Sequence, residues 1–230
     1  MSHLEELSLE CRPLEINDFV HLGGMHALKS LTLWQCTSGR CLKHIASSVG
    51  EQLESLHIHF SSGFSIDDVR TIAGMRSLCS LKLGCNRSVN ISPLTGLENL
   101  DILHINFPTS EQFLIDVGRS MHALRHLGLG SCNEIQDEDL CHLGSLQALE
   151  MLKICLSDHL TGSGLAHLHH LTSLKTLSLV HCTELVDEDI REIIRNCPSL
   201  RHVYIFKCNN ISSTARDGFF CPGVIIKVDD

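Results

Sequence analysis

The sequence predicts an α/β solenoid, in which short parallel strands and short helices alternate along a right-handed coil. Three observations predict it: an apolar motif recurs along the whole chain, helical stretches follow most copies, and aromatic residues form only 4% of the composition. The low aromatic content predicts an aliphatic core. With 230 residues and 43% hydrophobic content, the chain is long enough to bury a continuous core.

The apolar motif has the spacing Leu-x-x-Leu-x-Leu and occurs nine times, with first residues 22 to 26 positions apart. This spacing with a period of about 20–29 residues is the signature of leucine-rich repeats. The copies begin at Leu4, Leu28, Leu53, Leu78, Leu100, Leu124, Leu149, Leu174 and Leu200. Val224, Ile226 and Val228 predict the strand of a degenerate tenth coil. We therefore expect a horseshoe of about nine repeats plus a terminal strand.

Each strand should bury one face, because successive side chains of a strand point to opposite sides. The second and third apolar residues of each motif then point into the core together. The helical stretches, such as residues 187–196, carry apolar residues on one side and acidic residues at their start. We expect a parallel sheet on the concave side and short helices on the convex side, with neighbouring coils covering each other.

Where the chain leaves the strands, eight residues after the first leucine, several copies carry a thiol or an amide. These residues are Cys36, Asn86, Cys132, Cys182 and Cys208. A side chain in this position can bond to backbone groups of the turn, and cysteine does so more weakly than asparagine. We expect these five residues to form a structural ladder.

The cysteines and the residues around them resemble the cysteine-containing leucine-rich repeats of F-box proteins. The resemblance rests on IQDEDL at 135–140, LVDEDI at 185–190 and the run from Cys197-Pro198 to Cys208. It is strongest from about Leu124 to Ser213, whereas 60–61 and 107–108 depart from the ladder and Cys11 lies one position early. It implies the substrate-recognition part of an SCF-type ubiquitin ligase receptor.

The F-box itself, a short helical module ahead of the repeats, is absent from this sequence. Met1 lies almost directly before a repeat strand, and a first coil without a polar cap would expose its apolar edge. We therefore expect residues 1–230 to form a single array that is a fragment or C-terminal domain of a longer protein. A module ahead of it would contact the ubiquitin-ligase adaptor.

The outward strand positions define a candidate protein-binding face on the concave side. They stand two, four and six residues after each first leucine, and they include the only Trp and the only Tyr of the chain. Aromatic side chains are frequent anchors of protein interfaces. The candidate binding residues are Trp34, His57, His59, Lys82, His104, His126, Lys153, His202, Tyr204 and Phe206. The alternative is that Trp34 and Phe206 pack against neighbouring strands and only fill surface.

Three interpretations of the histidines on this face compete. His57 and His59 point the same way, but two ligands do not make a zinc site, and His104 lies about 10 Å away by strand spacing. Protonation of histidine could instead make binding sensitive to pH. We favour ordinary polar interface residues, and we expect no metal and no cofactor.

The composition and charge of the chain argue against several classes of function. A net charge of −9 argues against binding to nucleic acid or an anionic membrane, and no apolar run is long enough to span a bilayer. There is no phosphate-binding Gly-rich loop and no paired Cys-x-x-Cys, so we do not expect an enzyme. The twelve cysteines, without a secretion signal, predict free thiols in the reducing cytoplasm or nucleus rather than a disulfide framework.

The function predicted is therefore a protein–protein interaction domain. In the setting that the resemblance implies, it would hold a target for an F-box ubiquitin ligase. The alternative is a scaffold or regulatory leucine-rich-repeat protein without a link to ubiquitin, such as an immune sensor or an assembly factor. The module that precedes the repeats would distinguish them.

Overall fold

A computed structural model describes residues 3–11, 16–36, 40–60, 63–85, 89–212 and 223–229. The strands are β1 (Glu6–Glu10), β2 (Ser30–Cys36), β3 (Ser55–Phe60), β4 (Ser80–Gly84), β5 (Ile102–Pro108), β6 (His126–Ser131), β7 (Met151–Ser157), β8 (Thr176–Cys182), β9 (His202–Phe206) and β10 (Ile225–Asp229). The α-helices are α1 (Arg40–Val49), α2 (Ile66–Ala73), α3 (Glu111–Ser120), α4 (Gly162–Ala166) and α5 (Asp187–Asn196). Segments of 3₁₀ helix cover Ile16–Gly24, Ser92–Gly96, Asp137–Ser145 and His167–His170. None of the helices in the described ranges is long and apolar enough to cross a membrane.

The chain divides into two compact units, Met1–Phe107 and Pro108–Asp230. In the first unit, β1 to β5 are parallel and pair in sequence order. In the second unit, β6 to β10 do the same, including the predicted terminal strand. Parallel strands in sequence order with helical connections are the arrangement that the repeats predict, so the leucine-rich-repeat solenoid is confirmed as the fold class.

The core is built from the inward residues of the strands. In β2, for example, Leu31 and Leu33 are fully buried while Thr32 between them is half-buried. In the first unit the core is not purely aliphatic, contrary to the expectation from composition. The Phe60 and Phe64 rings stack with centroids 4.5 Å apart, and the Phe107 centroid lies 6.3 Å from that of Phe64.

The acidic residues at the helix starts satisfy backbone donors. Asp139 Oδ2 accepts a hydrogen bond from the Gln136 N–H at 2.8 Å, and Asp189 Oδ2 accepts one from the Val186 N–H at 2.9 Å. These amides precede the helix and would otherwise lack an acceptor. The same arrangement occurs at α2, where Asp68 Oδ2 accepts a hydrogen bond from the Ser65 N–H at 2.8 Å.

The first acid of each Asp-Glu-Asp run joins one coil to the next. Asp137 accepts a hydrogen bond from the Thr161 N–H at 2.8 Å and a second from the Thr161 hydroxyl. Asp187 accepts from the Ser212 N–H at 2.9 Å and from its hydroxyl at 2.7 Å. The runs that carry the family resemblance therefore have a structural role within the second unit.

The ladder cysteines Cys36, Cys132, Cys182 and Cys208 are buried where the chain leaves the strands, and Asn86 lies outside the described residues. The thiols contact backbone groups of their own turn and of the adjacent coil. Cys208 Sγ donates to the Phe206 carbonyl at 3.6 Å and accepts from the Cys182 N–H at 3.3 Å.

A residue in the left-handed region precedes the ladder position in four coils. Their φ angles lie between 52° and 57°, and the residues are Gln35, Leu156, His181 and Lys207. A left-handed residue at the end of a strand produces a bulge that shifts the in–out alternation by one. The next side chain then turns inward, which adds Ser157 to the ladder, a position that the sequence analysis did not identify.

The coils that depart from the cysteine pattern fill the core one residue earlier. Cys11, Phe60, Cys85 and Phe107 all stand seven residues after the first leucine, and all are buried. None of them follows a left-handed residue. Normal strand alternation therefore carries these four side chains inward at the seventh position.

Candidate protein-binding face

The outward residues of the strands form a face on each unit, which we call the strand face. Pairing of the strands aligns these residues in rows that run across the sheet. In the first unit one row is Thr32, His57, Lys82 and His104. In the second unit the corresponding row is Gly128, Lys153, Ser178, Tyr204 and Lys227. Five of the ten predicted binding residues thus lie in these two rows, and the other five flank the rows on the same strands.

The first aromatic patch consists of Trp34, His57 and His59. The Trp34 side chain is 44% exposed, and its ring meets the His57 ring edge-on, with centroids 4.9 Å apart at an interplanar angle of 66°. The His59 centroid lies 6.5 Å from that of Trp34. Trp34 packs partly on a neighbouring strand while nearly half of it remains open to solvent.

Gly84 makes room for the His59 ring. A Cβ atom at position 84 would lie 2.8 Å from His59 Cδ2, closer than a carbon–carbon contact allows. The sequence analysis did not assign this glycine a role, although its outward position on β4 is a signal that could have identified it. The half-buried His59 ring therefore lies close to Gly84 on the neighbouring strand.

The electrostatics of this patch favour a neutral His57. Burial lowers the pKa of His57, and the positive charge of Lys82 and the nearby His59 lower it further. Lys82 is exposed, whereas His104, its neighbour in the row, is half-buried. Protonation of His57 is therefore opposed by its surroundings.

The second aromatic patch consists of His202, Tyr204 and Phe206 on β9. Their rings are nearly parallel, with centroids 6.2 Å and 6.4 Å apart and interplanar angles of 6° and 5°. Lys227 of β10 places its Nζ 5.7 Å from the Tyr204 ring centroid, within the range of a cation–π contact. The sequence analysis missed Lys227, although the alternation of Ile226 and Val228 places it outward.

The remaining predicted residues of the second unit, His126 and Lys153, lie half-buried on β6 and β7. Met151 is the partner of His126 in the pairing of these strands, and Gly128 is the partner of Lys153. The structure therefore gathers six of the predicted residues into two aromatic patches, whereas Lys82, His104, His126 and Lys153 lie on the other strands of the face.

One group of potential metal ligands lies away from the strand face. Among the residues that the structure describes, Glu111, Asp139 and His142 form the single group of three whose ligand atoms all lie within 4.8 Å of one another. Their atoms could hold a divalent cation. Asp139 already accepts the Gln136 N–H, however, and His142 Nε2 lies 3.8 Å from a Glu111 oxygen. These interactions account for the arrangement.

The described cysteines are free thiols. Burial raises the pKa of Cys132 to about 12, whereas a hydrogen bond from Cys182 lowers the pKa of Cys208 to about 7. Cys36 Sγ lies 2.9 Å from Cys11 Sγ, so the first two coils meet through their thiols. Cys11, Cys36, Cys132 and Cys208 are buried in the turns, whereas Cys155 is half-buried on an outward position of β7.

Solved structures share the fold of this chain. A chain from the yeast complex of Rad7 and Elc1 is 23% identical with a TM-score of 0.77, and the match covers 99% of this chain and 63% of that one. A chain from the TLR13–ssRNA13 complex is 17% identical with a TM-score of 0.66, and the match covers 100% and 32%. The internalin InlF of Listeria monocytogenes is 19% identical with a TM-score of 0.55, and the match covers 79% and 55%.

At these identities the likeness establishes the fold alone. The chain spans less than two thirds of the length of each of these three chains. No family model matches the sequence, and no curated protein matches it either.

Proposed function

We propose that this chain is a protein-interaction domain that binds its partner on the strand face. The observation that carries the proposal is the position of the aromatic residues. The only Trp and the only Tyr of the sequence both stand on outward strand positions, where each remains partly open to solvent. Buried aromatic anchors supply much of the binding energy of protein interfaces.

The charge of the chain supports a protein partner. The TLR13 structure contains ssRNA, but the present sequence has a net charge of −9. Binding to a polyanion depends on a strongly basic surface that neutralises phosphates. The proposal accordingly excludes nucleic acid and membrane surfaces, and it needs no cofactor.

Affinity purification with matched variants tests this proposal. Trp34→Ala and the double variant Tyr204→Ala/Phe206→Ala should weaken capture of the same partner by about thirtyfold or more, the loss typical of a hot spot. Val20→Ala and Val186→Ala, which truncate exposed apolar residues on the helical connections, are the controls. Partners retained by all four variants would contradict the proposal.

We further propose the substrate-recognition part of an SCF-type ubiquitin ligase receptor as the setting. The cysteine-containing motifs support it, as does the fold likeness to a chain of a complex in which Rad7 is bound to Elc1. The test is the sequence upstream of Met1 in the native transcript. An in-frame F-box module supports the proposal, whereas a different module would favour a scaffold or regulatory protein outside ubiquitin transfer.

The free cysteines support a proposal for the cellular compartment of the protein. We propose the cytoplasm or nucleus, since a reducing environment keeps such a set of cysteines free. Localisation of the tagged full-length protein by fluorescence microscopy tests this, and secretion into the medium would contradict it.

A further inference from the structure

A row of polar donors crosses the strand face of the second unit. Strand pairing places Lys153 opposite Ser178, Ser178 opposite Tyr204, and Tyr204 opposite Lys227. The row takes one outward residue from each of the four strands β7 to β10, and neighbouring strands are about 4.8 Å apart. An ammonium group, an aliphatic hydroxyl, a phenol and a second ammonium group therefore follow one another across the sheet.

The middle of this row is a recess. Ser178 is only 6% exposed although it stands on the outward side of β8. Lys153 and Tyr204, its neighbours in the row, are half-buried. The larger neighbours therefore rise above the serine, whose hydroxyl lies low between them. On the far side of Lys153 the row continues with Gly128, which has no side chain.

The local charge is opposite to that of the protein. The sequence has a net charge of −9, yet the outward positions of β6 to β9 carry no aspartate or glutamate. On β10, Asp229 pairs with Phe206, two residues beyond the row. Within the described part of the chain, neither Lys153 nor Lys227 forms an ion pair with a carboxylate. Lys227 instead contacts the Tyr204 ring. The row is thus complementary to an anionic group.

The donor set fits a carboxylate better than a phosphate. Phosphate groups in partner proteins are commonly bound by clusters of arginine, whose planar donors pair with two oxygens. None of the outward positions of the nine predicted strands carries an arginine. Lys153 can balance a single negative charge, and the Ser178 and Tyr204 hydroxyls can donate to carboxylate oxygens.

An apolar surface lies beside the row. Val180 and Phe206 stand opposite each other two residues further along their strands, so they lie about 6.6 Å from the polar row. The Phe206 ring centroid is 6.4 Å from that of Tyr204. In an extended segment, side chains two residues apart have the same spacing and point to the same side.

We propose that Lys153, Ser178 and Tyr204 bind the carboxylate of an aspartate or glutamate in an extended segment of the partner protein. An apolar side chain two residues away in that segment packs on Val180 and Phe206. The inference rests on the proposed function and names the chemistry of the partner that the second aromatic patch would recognise.

The test uses a phage library of random twelve-residue peptides, selected on the immobilised full chain. The expected result is enrichment of peptides with an acidic residue two positions from an apolar one. Enriched peptides are then synthesised with the acid, with its amide and with phosphoserine in its place. The amide should bind about tenfold more weakly, because it keeps the shape of the acid but lacks the negative charge that Lys153 would balance.

Variants of the chain test whether the weaker binding of the amide peptide arises from the row of polar donors. Lys153→Gln should bind the acid and amide peptides equally, whereas Lys43→Gln, which removes an exposed lysine from α1, should preserve the tenfold difference. Lys153→Arg should keep most of it. Thermal unfolding of each variant checks that the fold is intact, and Ser178→Ala provides a second, uncharged change in the recess.

The possible results distinguish failure of this inference from failure of the proposed function. If acid and amide peptides bind equally to the unmodified chain, or phosphoserine binds tenfold more tightly than the acid, the carboxylate site is wrong. The proposed function survives that result if Tyr204→Ala/Phe206→Ala still abolishes peptide binding. If the aromatic variants bind every enriched peptide unchanged, both proposals fail.

Discussion

Glycine at position 156 should give a more stable protein than alanine at the same position, although glycine usually weakens ordered structure. Leu156 has a φ of 55°, and its side chain is 44% exposed. A residue with a Cβ atom pays about 1–2 kcal/mol in the left-handed region, whereas glycine adopts it freely. The greater freedom of glycine in the unfolded chain opposes this gain by about 0.4–1 kcal/mol.

The comparison that isolates the backbone is Leu156→Gly against Leu156→Ala, because both remove the same exposed side chain. The two opposing contributions leave the glycine variant more stable by roughly 0.5–1 kcal/mol. Equilibrium unfolding in urea should show this as a higher midpoint with an unchanged slope. The same pair at Val180, whose φ is not left-handed, is the control, and there glycine should be less stable by about 0.5–1 kcal/mol.

Equal or lower stability of Leu156→Gly than of Leu156→Ala would refute the reasoning. It would mean that residue 156 is not held in the left-handed region, and the explanation of the ladder by a bulge would fail with it. A similar gain at position 180 would also refute it, because the effect of glycine would then be independent of the bulge.

Three further predictions concern the core, a charge cluster and the first aromatic patch. Phe107→Ala should lower the free energy of unfolding by about 3–5 kcal/mol, because it removes a buried ring beside Phe64; a loss below about 1 kcal/mol in urea unfolding would contradict this. Hydrogen bonds from two basic neighbours lower the pKa of Glu150 to about 2, below its ordinary value near 4.3. Its stabilising effect is therefore complete above the ordinary value and is lost as pH falls through the lowered one, so Glu150→Gln should lower the thermal midpoint at pH 7 and have a much smaller effect near pH 2. Gly84→Ala should displace the His59 ring and change its imidazole NMR signals while stability changes by less than about 1 kcal/mol; unchanged signals would count against the assigned role of Gly84.

The strands could be predicted from the sequence because their signal is periodic and repeated. Each inward pair of apolar residues repeats in register, so errors in one copy are corrected by the others. The ladder could be predicted only in part. Its bulge depends on left-handed backbone at Leu156, His181 and Lys207. Leucine, histidine and lysine do not indicate this conformation in a sequence, whereas glycine or asparagine would.

The helical connections show a second limit of prediction from the sequence. Residues 137–139 and 187–189 have the same Asp-Glu-Asp sequence, yet the first run opens a 3₁₀ helix and the second opens α5. Tertiary packing contributes to the difference. A Cβ atom at Gly118 would lie 2.0 Å from the His142 carbonyl oxygen, so α3 approaches the 3₁₀ backbone very closely. A contact between segments this far apart in sequence is not visible in the local pattern.

On the candidate face, some features could be predicted from the sequence and others could not. Alternation alone placed Trp34 and Tyr204 outward, but the recess at Ser178 depends on the heights of neighbouring side chains. Lys227 was missed because its coil lacks the leucine motif. The assignment of residues 1–230 to a single array, like the binding roles of the individual residues, stays a prediction.

Photo-crosslinking in cells tests the central claim, that the partner binds on the strand face, most directly. A photoreactive phenylalanine analogue would replace Tyr204 in the full-length protein, and in a second sample it would replace Val186 on the helical side of the same unit. The account predicts a discrete protein adduct from position 204 and none from position 186. The same adduct from position 186, with none from position 204, would contradict it.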